Sequence, residues 1–163
     1  IAAGEDPPFI ARRLVILASE DIGLADPTAL PTAVTEAHAV EFIGMPEGRI
    51  NLAQAVIALA LAPKSNAVIK AVDAALAAVN AGRIGLCRGT FVMRTTRVQE
   101  AGHGQDYAYA HDEPHAIAAQ QYLPDELAGA HYYIPTDYGA EAAIVTRLAR
   151  IEELLGRTDE GLQ

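Results

Sequence analysis

From Arg49 to Leu61 the chain reads RINLAQAVIALAL, and after Ile50 only Asn51 and Gln54 are polar. A helix that is apolar on every face either crosses a membrane or lies in the middle of a larger core. Crossing needs about 18 or more uninterrupted apolar residues. This run is shorter and meets Pro63, so the pattern predicts a central buried helix from about residue 47 to 61, with other helices packed round it.

The neighbouring segments carry helical patterns of their own. Asp6-Pro7-Pro8 is a helix entry, since proline is tolerated in the first turn. A helix follows over 9–22, with Ile10, Leu14 and Leu17 on one face and Arg12 and Arg13 between them. Gly23 and Asp26-Pro27 break it, and Asp26 is the candidate cap of a second helix reaching about Ile43. Leu30, Val34, Ala37 and Phe42 are its expected inward residues, and Gly44-Met45-Pro46 ends it. After the central helix, Ser65 or Asn66 caps a fourth helix running to about Asn80, where Val68, Val72, Leu76 and Val79 recur at helical spacing. Asn80-Ala81-Gly82 is a good helix stop. Four helices with short loops predict an antiparallel bundle or helical array.

The regularity ends at Arg83. Gly85, Gly89, Gly102 and Gly104 punctuate a long irregular connection over about 83–110, in which only 91–101 reads as a short helix. Beyond it the pattern predicts a turn at 111–114, a helix through 116–122, a turn at 124–127 and an extended stretch at 132–136. A last helix over about 140–155 is expected, capped by Asp137, with Ile144, Leu148, Ile151 and Leu155 inward. The fold class expected is all-α, as one helical domain over 6–156 with a tail at 157–163.

Composition supports a folded core: 51% of residues are hydrophobic, much of it alanine, and there is no tryptophan. Alanine is the best helix former and lets helices approach closely. The one cysteine, Cys87, has no internal disulfide partner, so a reducing compartment is the default. The chain opens on Ile1 and enters a helical pattern almost at once, which suggests a piece of a longer polypeptide. The net charge of −9 is unevenly spread: residues 1–99 hold nine basic and nine acidic side chains, whereas 100–163 hold three arginines against twelve acids. An acidic domain is a poor general binder of nucleic acid, so any such contact must be local.

Three features invite chemistry. His111 and His115 flank Asp112-Glu113-Pro114, but a zinc-protease helix needs Glu directly after the first His, and Pro114 opposes a helix through His111; no metal or catalytic site is expected. Arg83, Arg88, Arg94 and Arg97, with threonines and glycines among them and no acid before Glu100, form a candidate phosphate-contacting strip. Lys64, in the turn before the fourth helix, is a further candidate DNA contact. Charge asymmetry favours the alternative, in which these arginines pair with the acidic half of the same fold or of a neighbouring subunit. All six tyrosines lie between Tyr107 and Tyr138. Tyrosine is enriched at interfaces, which makes Tyr107, Tyr109, Tyr132 and Tyr133 candidate subunit-interface residues. No GxxxxGK[ST] occurs, so the chain carries no P-loop.

Five blocks together, ASEDIGLADP (18–27), LAQAVIALALAPKSNAV (52–68), YAHDEP (109–114), QQYLPDEL (120–127) and YYIPTDYG (132–139), resemble the C-terminal region of the bacterial replication-associated recombination protein A family. These are AAA+ ATPases related to the eukaryotic Werner-helicase-interacting ATPase and to clamp loaders. The blocks occur in family order, over about residues 6–148. The chain departs from the family between 86 and 107. There CRGTFVMRTTRVQEAGHGQDY keeps basic residues, but the family's proline and lysine do not line up.

The resemblance implies an all-helical domain like the clamp-loader collar, through which such proteins form homotetramers. It implies a non-catalytic fragment, without cofactors of its own. The P-loop ATPase module, with its ATP and magnesium, and the helical lid would lie outside this chain. The parent would act on DNA at stalled forks, in replication, recombination and repair. Its expected partners are further copies of itself, DNA, single-strand-binding and replisome proteins, and no membrane. The expected location is cytoplasmic and nucleoid-associated. The alternative function is a local DNA-binding module using the arginine segment.

Overall fold

Asp6 opens the first helix: its carboxylate accepts the backbone N–H of Phe9 at 3.0 Å, with Pro7 and Pro8 in the first turn. The computed structural model describes residues 1–85 and 108–156. It is all-α, with five α-helices and no strand among the described residues. They are α1 (Pro7–Leu17), α2 (Ala29–Ile43), α3 (Gly48–Leu61), α4 (Ala67–Asn80) and α5 (Glu141–Leu154). Between α1 and α2 the chain tightens through a π turn (Ala18–Ile22) and a 3₁₀ turn (Gly23–Ala25). By backbone contacts it divides into two units, Ile1–Asp73 with Tyr132–Val145, and Ala74–His131 with Thr146–Gln163.

The first unit is built on α1, α2 and α3. Ala18, Ile22, Ala29, Ala33 and Leu59 form one buried cluster, with Leu14, Val15, Leu17 and Ala62 packed on it. Ala11, Val40 and Leu52 form another, bordered by Ile10, Leu14 and Ala37. One polar link joins α2 to α3, the Asn51 amide donating to the buried Glu36 carboxylate at 2.7 Å. Asp26 caps the turn that precedes α2, accepting the N–H and hydroxyl of Thr28 at 2.9 and 2.7 Å.

The helix boundaries match the sequence pattern closely, but the facing does not. α3 is not surrounded: Leu52, Ala55 and Leu59 are buried, while Ile50 is 65%, Ile57 59% and Leu61 82% exposed. In α2 the buried residues are Ala29, Ala33, Glu36 and Val40. Leu30 points outward and Phe42 is 92% exposed, against the expectation for both. In α4, Val72, Leu76 and Val79 are each more than half exposed, and Ala67 and Ala78 are buried. The physical reason is size. Small side chains let helix axes come close, so α2 turns Ala29 and Ala33 inward and leaves Leu30 and Phe42 out, while in α3 Leu52 and Leu59 share the buried side with Ala55.

The second unit holds more irregular chain. The helix expected at 116–122 is absent, because His115 and Ala116 both take positive φ, 60° and 56°, which breaks right-handed progression. The Gln120 side chain instead pairs with the Ala108 backbone, its Nε2 donating to Ala108 O at 2.9 Å and its Oε1 accepting the Ala108 N–H at 3.2 Å. The turn at 111–114 and that at 124–127 are present as short 3₁₀ turns. The short helix expected at 91–101 lies outside the described residues.

Candidate functional site

Three turns of the first unit converge on one carboxylate. Glu141, the first residue of α5, is fully buried. Its Oε2 accepts from Ser65 Oγ at 2.7 Å, from the Thr136 N–H at 2.8 Å and from Thr136 Oγ1 at 2.6 Å. Its Oε1 accepts from the Tyr133 hydroxyl at 2.9 Å. Ser65 Oγ also accepts the N–H of Ala67, capping α4. The backbone closes round this centre. Ser65 N–H donates to Asp21 O and Ala140 N–H to Ala25 O, both at 2.8 Å. Gly139, at φ +54°, lies so close to the Ala25 carbonyl and the Pro63 ring that a Cβ has no room.

The electrostatics follow from the geometry. Burial alone raises the Glu141 carboxyl, but the donors from Thr136, Ser65 and Tyr133 outweigh it and hold the group below its ordinary range. Tyr133 is pushed up to about 12, by burial first and then by its bond to the Glu141 carboxylate. Three donors crowd Oε2 and one, the Tyr133 hydroxyl, holds Oε1. Buried and held by donors from Ser65, Tyr133 and Thr136, Glu141 ties together the ends of three connections.

The sequence-predicted residues lie apart from one another. Lys64 sits at the C-terminus of α3, its Nζ donating to Leu59 O at 2.8 Å, to Ala60 O at 3.4 Å and to Ala62 O. That arrangement suits the negative end of the helix dipole and occupies the three donors of an ammonium. Arg83 is exposed just past α4, where its backbone N–H closes the helix end on Ala78 O at 3.0 Å. Arg88, Arg94, Arg97, Tyr107 and Cys87 lie outside the described residues. Tyr109 is exposed and its ring stands 5.1 Å from that of His111. Tyr132 is half-buried, and Tyr133 is committed to Glu141. His111 and His115 fall in separate 3₁₀ turns, and among the described residues no group of three or more His, Cys, Asp or Glu is placed to hold a metal ion.

Sequence reasoning missed Glu141. An acid in the first turn of a helix is the ordinary partner of the helix dipole, and nothing local marks its bond to a serine 76 positions away. The second feature it missed is the outward apolar face of α3 with the end of α2, comprising Phe42, Ile43, Ile50, Ile57 and Leu61. Scattered exposed apolar residues are ordinary; a stripe of large ones on one helix marks an interaction surface. No helix among the described residues is long and apolar enough to cross a membrane.

Comparison with known proteins fits this architecture. The family described as MgsA AAA+ ATPase C terminal matches residues 1–152. An uncharacterized AAA domain-containing protein of Mycobacterium tuberculosis is 50% identical over 158 residues, covering 95% of this chain and 34% of that protein. Replication-associated recombination protein A of Escherichia coli K12 is 43% identical over 155 residues, 94% of this chain and 35% of that protein. The Bacillus subtilis protein of the same name is 46% identical over 140 residues, 85% of this chain and 33% of that protein. The chain thus spans about a third of the length of these relatives. Three of the blocks that carry the resemblance, 18–27, 52–68 and 132–139, are those that meet round Glu141. The chain belongs to the C-terminal domain family of the MgsA AAA+ ATPases, whose relatives include the replication-associated recombination proteins.

Proposed function

We propose that this chain is the self-association domain of an AAA+ ATPase that works on DNA at stalled replication forks, and that it has no catalytic chemistry of its own. One observation carries the reading. The buried apolar set is made largely of alanine, whereas Phe42, Ile50, Ile57, Leu61, Leu76 and Val79 are each more than half exposed. A subunit that keeps its large side chains outside gains hydrophobic free energy by covering them, at roughly 25 cal/mol per Å². The relatives' names support the setting in replication and recombination. Nucleotide chemistry, with ATP and magnesium, belongs on this reading to the two thirds of the relatives that the chain does not span.

Sedimentation equilibrium of the 163-residue chain tests it. The expected result is a concentration-dependent oligomer with a tetramer as its limit. A mass that stays monomeric from micromolar to hundreds of micromolar overturns it.

A further inference from the structure

The outward residues of α3 are Ile50, Gln54, Ile57 and Leu61. Their spacings, four, three and four, follow the heptad seam of paired helices, and they read the same from either end. No charged residue occurs between Ile50 and Leu61, so the stripe meets a copy of itself without like charges in opposition. Ala53, Ala58 and Ala60 flank it and are exposed, leaving room for a close approach of helix axes, about 8 Å.

Resting on the self-association reading, we infer that the occupant of this face is α3 of a second copy, packed antiparallel about a two-fold axis that passes between Ala55 and Val56. In that register Ile50 lies opposite Leu61 of the second copy, and Gln54 opposite its Ile57. The end of α2 and the turn before α3 add Phe42, Ile43 and Met45, all exposed. With Ile50, Ile57 and Leu61, at 65%, 59% and 82% exposure, these residues offer apolar surface of the kind that marks an interaction site; a stable interface takes roughly 800 Å² from each partner. Gln54 is the one polar position of the seam. Opposite Ile57 it weakens the pair.

Single-cysteine variants in a Cys87→Ser background read the register directly. Residues 50 and 61 are about 16 Å apart along a helix. Ile50→Cys alone and Leu61→Cys alone are therefore expected not to form a disulfide dimer, while the two co-expressed form one readily on mild oxidation. Cross-linking of Ile50→Cys with itself, or none in the co-expressed pair, overturns the antiparallel seam. In parallel, Ile57→Glu with an unchanged circular-dichroism spectrum is expected to lower the association constant by more than 100-fold and the solution mass to half or less. An unchanged mass for this folded variant overturns the seam but leaves self-association standing. A monomeric parent chain overturns both.

Discussion

Ser65 and Glu141 stand 76 positions apart and share a buried hydrogen bond of 2.7 Å. The serine does two things at once, donating to the carboxylate and accepting the Ala67 N–H at the start of α4. Ser65→Ala removes both, and is expected to lower the unfolding free energy by about 1–3 kcal/mol. Glu141→Ala should cost more, because it leaves the donors of Ser65, Thr136 and Tyr133 without their acceptor, at about 1–3 kcal/mol for each one that stays buried. Urea denaturation of the two variants checks the order.

The same carboxylate sets an acid limit. Its folded pKa lies below the ordinary value of 4.5, so its contribution is complete above that value and is lost as pH falls through the lower folded one. Thermal unfolding followed from pH 6 downward should show a loss that is shallower in Glu141→Gln. Tyr133 acts at the other end. Its folded pKa of about 12 against 10 unfolded gives stability that is complete below pH 10 and disappears as pH rises through about 12; Tyr133→Phe should remove that alkaline slope.

Two glycines with positive φ separate backbone strain from crowding. At Gly44, φ +76° and ψ −173°, a Cβ meets nothing, so Gly44→Ala should cost only the backbone strain of a region essentially reserved for glycine, about 1–3 kcal/mol. At Gly139, φ +54°, the added Cβ also runs into the Ala25 carbonyl and the Pro63 ring. Gly139→Ala should therefore be the more damaging by a clear margin in the same melting experiment.

Leu59 and Leu61 lie two positions apart on α3 and face opposite fates. Leu59 is buried at 2% exposure and Leu61 stands out at 82%. Leu59→Ala opens a cavity and should destabilise the fold by about 2–5 kcal/mol. Leu61→Ala should leave the subunit's own stability within about 0.5 kcal/mol, while weakening association. Denaturation under conditions where the protein is monomeric, set beside sedimentation, separates the two effects.

Helix positions were legible in the sequence because their ends carry local chemistry: Asp6 before two prolines, Gly44 after Ile43, Ser65 before Ala67. Facing was not legible, because in α2, α3 and α4 alanine and the large aliphatic residues alternate round the whole helix and a hydrophobic pattern counts them alike. Which side turns in is decided by how closely two helices can pack, which in α2 favours Ala33 over Leu30 and in α4 Ala78 over Leu76, whereas α3 buries Leu52 and Leu59 beside Ala55. The Glu141 centre was hidden for another reason. Each of its members, Ser65 as a cap, Thr136 in a turn and an acid at a helix start, has a sufficient local explanation.

The order of synthesis gives the Glu141 centre a consequence in time. At about 5–20 residues per second, the 76 positions between Ser65 and its acceptor take roughly 4–15 s to translate. Through that interval Ile1–Asp73 can form its helices, yet the hydroxyl of Ser65 and the carbonyl of Ala25 wait for partners still inside or behind the ribosome. The first unit is closed by a late arrival, so a pause between the two segments holds, and a premature stop releases, a nascent chain with its junction unfilled and open to a chaperone or a protease.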